Sequence, residues 1–327
     1  MNLYLQYFLE VAKGIVADYR AEAPIGFDPQ NSFQVDTALV QSYKANIEIK
    51  FQQMGSRIRP YVRNETQHAE FDFYDRIGAV DAVEVTTRHG DTPLISTPHD
   101  RRRVGLRDFD FADLIDNKDK LRMLADPTSS YVTNAVYALG RACDDVLIQA
   151  AFGTAYTGKT GATSVTFPAA SEVAVNYVES GTAANSNLTI GKLRRVRYLL
   201  DKAEATTEGQ FDLAAIVDPS QIQGLLRTTE VTNSDYNTIK ALVAGEIDTF
   251  MGFKFVKSNR LTVASSIREC IFFERQGLLL ATAQEIKVDV GPRRDKRNSI
   301  QVYACGNFGA SRMWEEKVLR VKCDETA

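Results

Sequence analysis

The chain is poor in the residues that site chemistry most often draws on. Of 327 residues only three are histidine (His68, His89, His99) and four cysteine (Cys143, Cys270, Cys305, Cys323). The cysteines are scattered, with no pair at metal or redox spacing, so no disulfide framework is expected and a reducing, cytosolic place of folding is. Charge of one sign is missing too. Against 39 Lys and Arg stand 42 Asp and Glu, interspersed, for a net charge of -3; that leaves no basic surface to grip nucleic acid tightly. No apolar run approaches the roughly 20 residues a bilayer span requires. The first residues carry Glu10 and Asp18 inside their apolar pattern, so neither a signal peptide nor a membrane partner is expected. No internal repeat is evident, and no Ser or Cys sits in a nucleophile elbow.

What is present begins with Gly153-Thr154-Ala155-Tyr156-Thr157-Gly158-Lys159-Thr160, which fits the phosphate-loop pattern letter for letter. A working phosphate loop follows a strand and opens a helix, so that backbone N–H groups converge on the phosphates. Here the order is reversed. Ahead of it Asp126 can cap and Pro127 can start a helix whose stripe is Val132, Val136, Leu139, Cys143, Val146 and Ala150. Behind it, Ser164 to Phe167 reads as a short strand ended by Pro168. Leu213 to Val217 with Asp218 could pass for the strand and Mg²⁺-holding aspartate of such a site, but Pro219 follows at once and a buried strand ending in a turn explains it equally well. A nucleotide hydrolase using Lys159 stays as the rival reading from another class.

Along the chain, residues 1 to 20 predict an amphipathic helix with Leu5, Phe8, Ala12, Ile15, Val16 and Tyr19 on one face. A second helix is expected around Val35 to Phe51. From Phe71 to Phe111 extended structure is predicted, with Ala82 to Thr87 and Leu94 to Thr97 as the arms of a two-stranded ribbon and Gly90 at its tip. An isolated ribbon is marginal in water, so something must cover it. Thr189 to Ala205 predicts a helix with Leu193, Val196, Leu199 and Leu200 inward and Lys192, Arg194, Arg195 and Arg197 outward. Leu213 to Val217 and Gly252 to Lys257 are strand candidates, with a short helix over Ser220 to Leu226 between them. Further strands are expected at Glu269 to Phe273, Gly277 to Ala281, Ile286 to Val290, Ile300 to Ala304 and Lys317 to Lys322, with a turn at Gly291 to Asp295.

Candidate chemistry is thin. His89 and Asp91, and His99 and Asp100, could suggest a metal, yet a ribbon tip excludes water poorly and no ligand motif is present. Asp108, Asp110, Asp113 and Asp116 lack the glycine turn of a Ca²⁺ loop. They are instead expected to meet Arg101, Arg102, Arg103 and Arg107, within one subunit or across a boundary, as bidentate ion pairs. Acidic neighbours Asp144 and Asp145 make Cys143 a poor nucleophile. No catalytic residue, cofactor or metal is expected.

The block Asp116 to Ser129, followed by Gly140 to Asp145 and the Gly153 to Gly161 loop, resembles major capsid proteins of short-tailed bacteriophages. Gly245 to Phe255 and Gly309 to Trp314 are similar to later parts of such proteins. The resemblance implies an α+β, tailed-phage (Hong Kong 97-like) fold: N-terminal arm 1–65, extended β ribbon 66–115, a peripheral domain over 116–188 and 269–327 with a spine helix 127–152, and an axial domain 189–268. It implies a structural subunit, not an enzyme, that self-assembles through hexamers and pentamers into an icosahedral shell around double-stranded DNA. The partners implied are scaffolding protein, portal and a cement or decoration protein, with DNA held by weak non-specific contact. Phe8, Tyr19, Gly90, Arg101, Arg102, Arg103 and Arg107 are the residues expected at contacts between copies. A nanocompartment shell subunit of the same fold is the nearest rival and would need a cargo-binding pocket.

Overall fold

In the computed structural model the residues described are 52–84, 86–88, 90–92, 94–116, 128–206, 212–227 and 249–326. They belong to one unit, Glu48–Ala327. The helices expected over 1 to 20 and around Val35 to Phe51 lie outside them, as do Phe8, Tyr19, His89, Asp126 and Pro127.

The main core surrounds a seven-stranded mixed sheet ordered β7 (Glu172–Val173), β15 (Val318–Asp324), β12 (Ile267–Glu274), β8 (Leu213–Val217), β10 (Phe253–Lys257) and β9 (Thr249–Phe250), with β11 (Val263–Ala264) on β12. Its centre is an uninterrupted apolar run because both faces are covered: every residue of β8 is buried, as are Cys270 to Phe273 of β12. Phe253 and Phe272 meet edge to face, their ring centroids 5.4 Å apart. Thr189 caps helix α2 (Ile190–Lys202), accepting from the Lys192 N–H, and Leu193, Val196 and Leu200 are buried as their spacing predicts. Lys192 is the exception. Expected outward, it is fully buried, its Nζ donating to the carbonyls of Ser186 (2.7 Å), Asn187 (3.1 Å) and Lys322 (3.0 Å). Burial lowers its pKa. Helical phase alone could not show that three loop and strand carbonyls converge there.

A second sheet, ordered β1 (Arg63–Thr66), β13 (Leu278–Arg293), β14 (Ser299–Arg312) and β4 (Arg107–Ile115), packs against helix α1 (Thr128–Phe152). The stretches expected as separate strands at Gly277 to Ala281 and Ile286 to Val290 are one strand with register shifts between Thr282 and Lys287. The turn expected at Gly291 to Asp295 is shifted to Arg294 to Asn298. Gly291 and Pro292 still pair with Gln301 and Ile300, and the chain reverses at Arg297 and Asn298, which take φ of 53° and 56°. Helix α1 clasps the segment entering β1: its buried Asp144 accepts from Ser56 Oγ (2.5 Å) and from the backbone N–H groups of Arg57 (3.1 Å) and Ile58 (3.3 Å). Gly140 permits that approach, since a Cβ there would lie 2.5 Å from Gly55 Cα.

The ribbon belongs to a third sheet, ordered β2 (Phe71–Ile77), β3 (His99–Gly105), β5 (Ala155–Thr157) and β6 (Thr163–Val165). Its strands differ from those expected. Ala82 to Thr87 and Leu94 to Thr97 are irregular in their described residues, and pairing runs from Phe71 opposite Gly105 to Ile77 opposite His99. The Gly78 N–H to the Pro98 carbonyl closes the ladder, and β-propensity beyond it finds no partner strand.

Candidate assembly surface

The glycine-rich loop at Gly153 is a β-hairpin, not a nucleotide site. Helix α1 ends at Phe152, β5 and β6 pair antiparallel, and no helix follows. Gly158 and Gly161 take φ of 91° and 65°, so the glycines serve the turn, which the Gly161 N–H to Gly158 carbonyl bond closes at 3.0 Å. Lys159 is exposed at that turn. The hairpin adds to the ribbon by pairing β5 with β3, Arg102 opposite Thr157 and Arg103 opposite Tyr156. Asp218 is a helix-start residue: its carboxylate accepts from the Ser220 N–H (3.2 Å) and hydroxyl (2.9 Å) as α3 (Pro219–Arg227) begins.

Where the ribbon leaves the body, three arginines and two carboxylates converge. Arg76 donates to Asp100 (2.5 Å), to Glu315 (3.2 Å) and to the Met313 carbonyl (2.7 Å), and its guanidinium lies over Trp314. Arg102, 0% exposed, pairs with Glu315 and donates to the Met313 carbonyl at 3.4 Å. Arg312, equally buried, donates to the carbonyls of Ala151 (2.9 Å) and Gly153 (3.0 Å) at the end of α1. Burial lowers the pKa of both Arg102 and Arg312, with Glu315 opposing that. Burial alone would raise the Asp100 carboxyl, but hydrogen bonds from Thr157 and Arg76 outweigh it and hold the group well below the usual carboxylate range.

The expected pairing of Arg101, Arg102, Arg103 and Arg107 with the acidic run is not what this chain forms. Arg101 pairs with Asp75 at 3.0 Å, Arg102 with Glu315, and Arg107 donates to Gln149 at 2.8 Å. Arg103 is held between the rings of Phe71 and Tyr156, 4.9 Å from each centroid. Asp108 and Asp110 accept from Asn307 and Tyr303 across β4 and β14. Strand geometry gives the reason. Three consecutive arginines alternate faces, so Arg102 points away from Arg101 and Arg103. That alternation was readable, whereas Arg312 and Glu315, more than 200 positions away, carried no local signal. Arg102 presents no surface to another copy.

At the far end of the ribbon the surface is apolar and uncovered. Leu94 is 97% exposed, Ile77 59% and Val83 55%, with Val80 and Ile95 close behind. Gly90 is exposed among them. His68 and His99 are exposed, and no group of three or more metal-ligating side chains occurs among the described residues. Cys143 is buried, which with Asp144 beside it pushes its thiol up to about 12 and removes it as a nucleophile.

A family model described as phage capsid protein matches residues 35–325. A search of curated proteins gave no match. Among solved structures, a chain of the capsid of cyanophage P-SCSP1u superposes with a TM-score of 0.66 at 14% identity, covering 88% of this chain and 94% of that one. The capsid of Ralstonia phage GP4 gives 0.68 at 11% identity, covering 87% and 94%. The acidic stable capsid of Helicobacter pylori bacteriophage KHP30 gives 0.64 at 10% identity, covering 93% and 100%.

Proposed function

The chain belongs to the phage capsid protein family and is a structural subunit of a phage shell, and we propose that its copies close into hexamers and pentamers through the ribbon. The fold is the α+β, Hong Kong 97-like fold of tailed-phage major capsid proteins. The observation that carries the proposal is the uncovered tip. Burying a Leu or Ile side chain contributes about 1.5–3 kcal/mol, and a projecting cluster of such residues gains that only against another molecule. An isolated subunit leaves the gain unused.

In this reading residues 1–65 are an arm and 66–115 the ribbon; 116–188 and 269–327 form the peripheral portion and 189–268 the axial one. The last two share the seven-stranded sheet, and the spine helix is assigned to 127–152. Gly90, Arg101, Arg103 and Arg107, with Phe8 and Tyr19 of the arm, contact neighbouring copies. Assembly takes place in the host cytoplasm with scaffolding protein, portal and a cement protein, and packaged double-stranded DNA is held weakly by a surface without basic excess. Electron microscopy of the expressed protein, with sedimentation velocity, tests this. Rings, shells or large particles are expected; a compact monomer over a wide concentration range counts against it.

A further inference from the structure

Where cations cluster along the described chain, carboxylates mostly answer them: Arg101 meets Asp75, Arg194 meets Glu179, Arg197 meets Asp201, and Arg102 is buried against Glu315. One turn differs. Beyond Val290, itself exposed, the ladder of β13 and β14 runs on to Arg293 opposite Ser299 and reverses through Arg294-Asp295-Lys296-Arg297-Asn298, all of them exposed. Asp295 accepts from Arg293 at 2.9 and 3.0 Å, which leaves Arg294, Lys296 and Arg297 without an ion pair among the described residues. Three like charges on one short turn repel one another, and an anion from elsewhere relieves that repulsion. The backbone adds a second sign. Arg297 takes φ of 53° and ψ of 35°, and Asn298 φ of 56°, a left-handed conformation that glycine adopts freely and asparagine tolerates but arginine does not favour. A cation kept where glycine would relax the turn points to a use for its charge.

We propose that this turn is the subunit's contact with packaged double-stranded DNA, with Arg294, Lys296 and Arg297 meeting backbone phosphates without reading sequence. On the shell reading, which this deepens and on which it rests, the turn lies on the face that encloses the polymer. Duplex DNA carries one negative charge about every 1.7 Å of its axis, so cations gathered on one turn find phosphates whatever the sequence beneath them. Each copy gains only a weak hold. Repeated on every copy of a closed shell, such contacts act together on one long polymer while each stays easily broken. The chain as a whole needs no basic excess for this, because its positive charge is concentrated at one projecting point.

The test uses the full-length protein, held below the concentration at which it assembles, and a short fluorescent DNA duplex read by anisotropy at several salt concentrations. Changing Arg294→Gln, Lys296→Gln and Arg297→Gln together should weaken binding about tenfold or more and reduce the slope of log affinity against log salt by about 2.7, or about 0.9 for each phosphate released. Arg297→Gly alone should reduce that slope by about 0.9 while its melting temperature equals or exceeds that of wild type. A residue kept for folding would lower the melting temperature instead. Closed wild-type shells should leave added duplex unbound, since their turns face inward. Duplex binding unchanged in the triple variant, or closed shells that take up duplex as well as free subunits do, would overturn the assignment while leaving a shell-forming wild type intact. A triple variant that binds duplex normally yet fails to assemble would overturn it too, and give the turn to a contact between copies. A wild type that never forms shells would overturn the shell reading and this assignment with it.

Discussion

Two regions of the ribbon, which adjoin where Arg76 is followed by Ile77, obey opposite rules. At the root, Arg76 and Arg102 meet Asp100 and Glu315 in a largely buried cluster, tied by backbone carbonyls to the C-terminal strands. At the tip, Ile77, Val80, Val83, Leu94 and Ile95 are exposed and have no counterpart charges holding them. Buried ions need fixed partners, so the root sets a direction for the ribbon more than it adds stability. Exposed apolar groups gain free energy from any well-fitting cover, so the tip contributes to association and little to folding. Folding and assembly are thereby assigned to adjoining parts of one ribbon, the paired strands and the loop beyond them.

That division can be broken at several points. The largest effect is expected from Glu315→Ala, which leaves the buried guanidiniums of Arg102 and Arg312 without their carboxylate and should cost about 3–5 kcal/mol in urea unfolding. Leu94→Ser should leave that unfolding within about 0.5 kcal/mol of wild type, yet weaken each inter-subunit contact by about 1.5–3 kcal/mol, read as a higher critical concentration in light scattering. Equal effects on folding from both variants would erase the distinction between root and tip. Next comes Gly161→Ala. Its φ of 65° disfavours a Cβ by about 1–2 kcal/mol, and that atom would lie 2.6 Å from Arg103 Cδ, so thermal unfolding should fall, whereas Lys159→Ala two residues away should change nothing. The smallest effect concerns acid. Because the Asp100 carboxyl is held below its ordinary value, the stability it contributes is present above the unfolded pKa of about 3.9 and is lost as pH falls through the lower folded value. Asp100→Asn should lower the plateau of melting temperature near neutrality and flatten the acid limb, so that variant and wild type converge as pH falls.

Elements whose pattern closes on itself were legible in the residues. The capped helix after Thr189 and the apolar runs of β8 and β12 appear where period and burial place them, and of the stripe from Val132 to Ala150 the residues Leu139, Cys143 and Val146 are buried while Val132, Val136 and Ala150 are half-buried. The inverted setting of the glycine-rich loop was legible as well, because it depends only on what precedes and follows it. The ribbon was harder. Its stretch at Ala82 to Thr87 is rich in strand-forming residues, but among the described residues only Phe71 to Ile77 finds a partner strand. Of the arginine run, local reading saw four equivalent cations. The folded chain makes one a buried anchor, one a ring-stacked side chain and the others surface groups.

Period and capping thus established the helices that follow Thr128 and Thr189 and most strands among the described residues, while the kind of shell subunit was implied by the resemblance of particular blocks such as Gly140 to Asp145. Tertiary contacts established the rest: the burial of Lys192, the hairpin that widens the ribbon, and the meeting of Arg76 and Arg102 with Glu315 more than 200 positions away. Local pattern records which faces prefer water. It cannot record which distant carbonyl or carboxylate will be waiting for a buried cation, since that partner is brought there by the packing of sheets far apart along the chain.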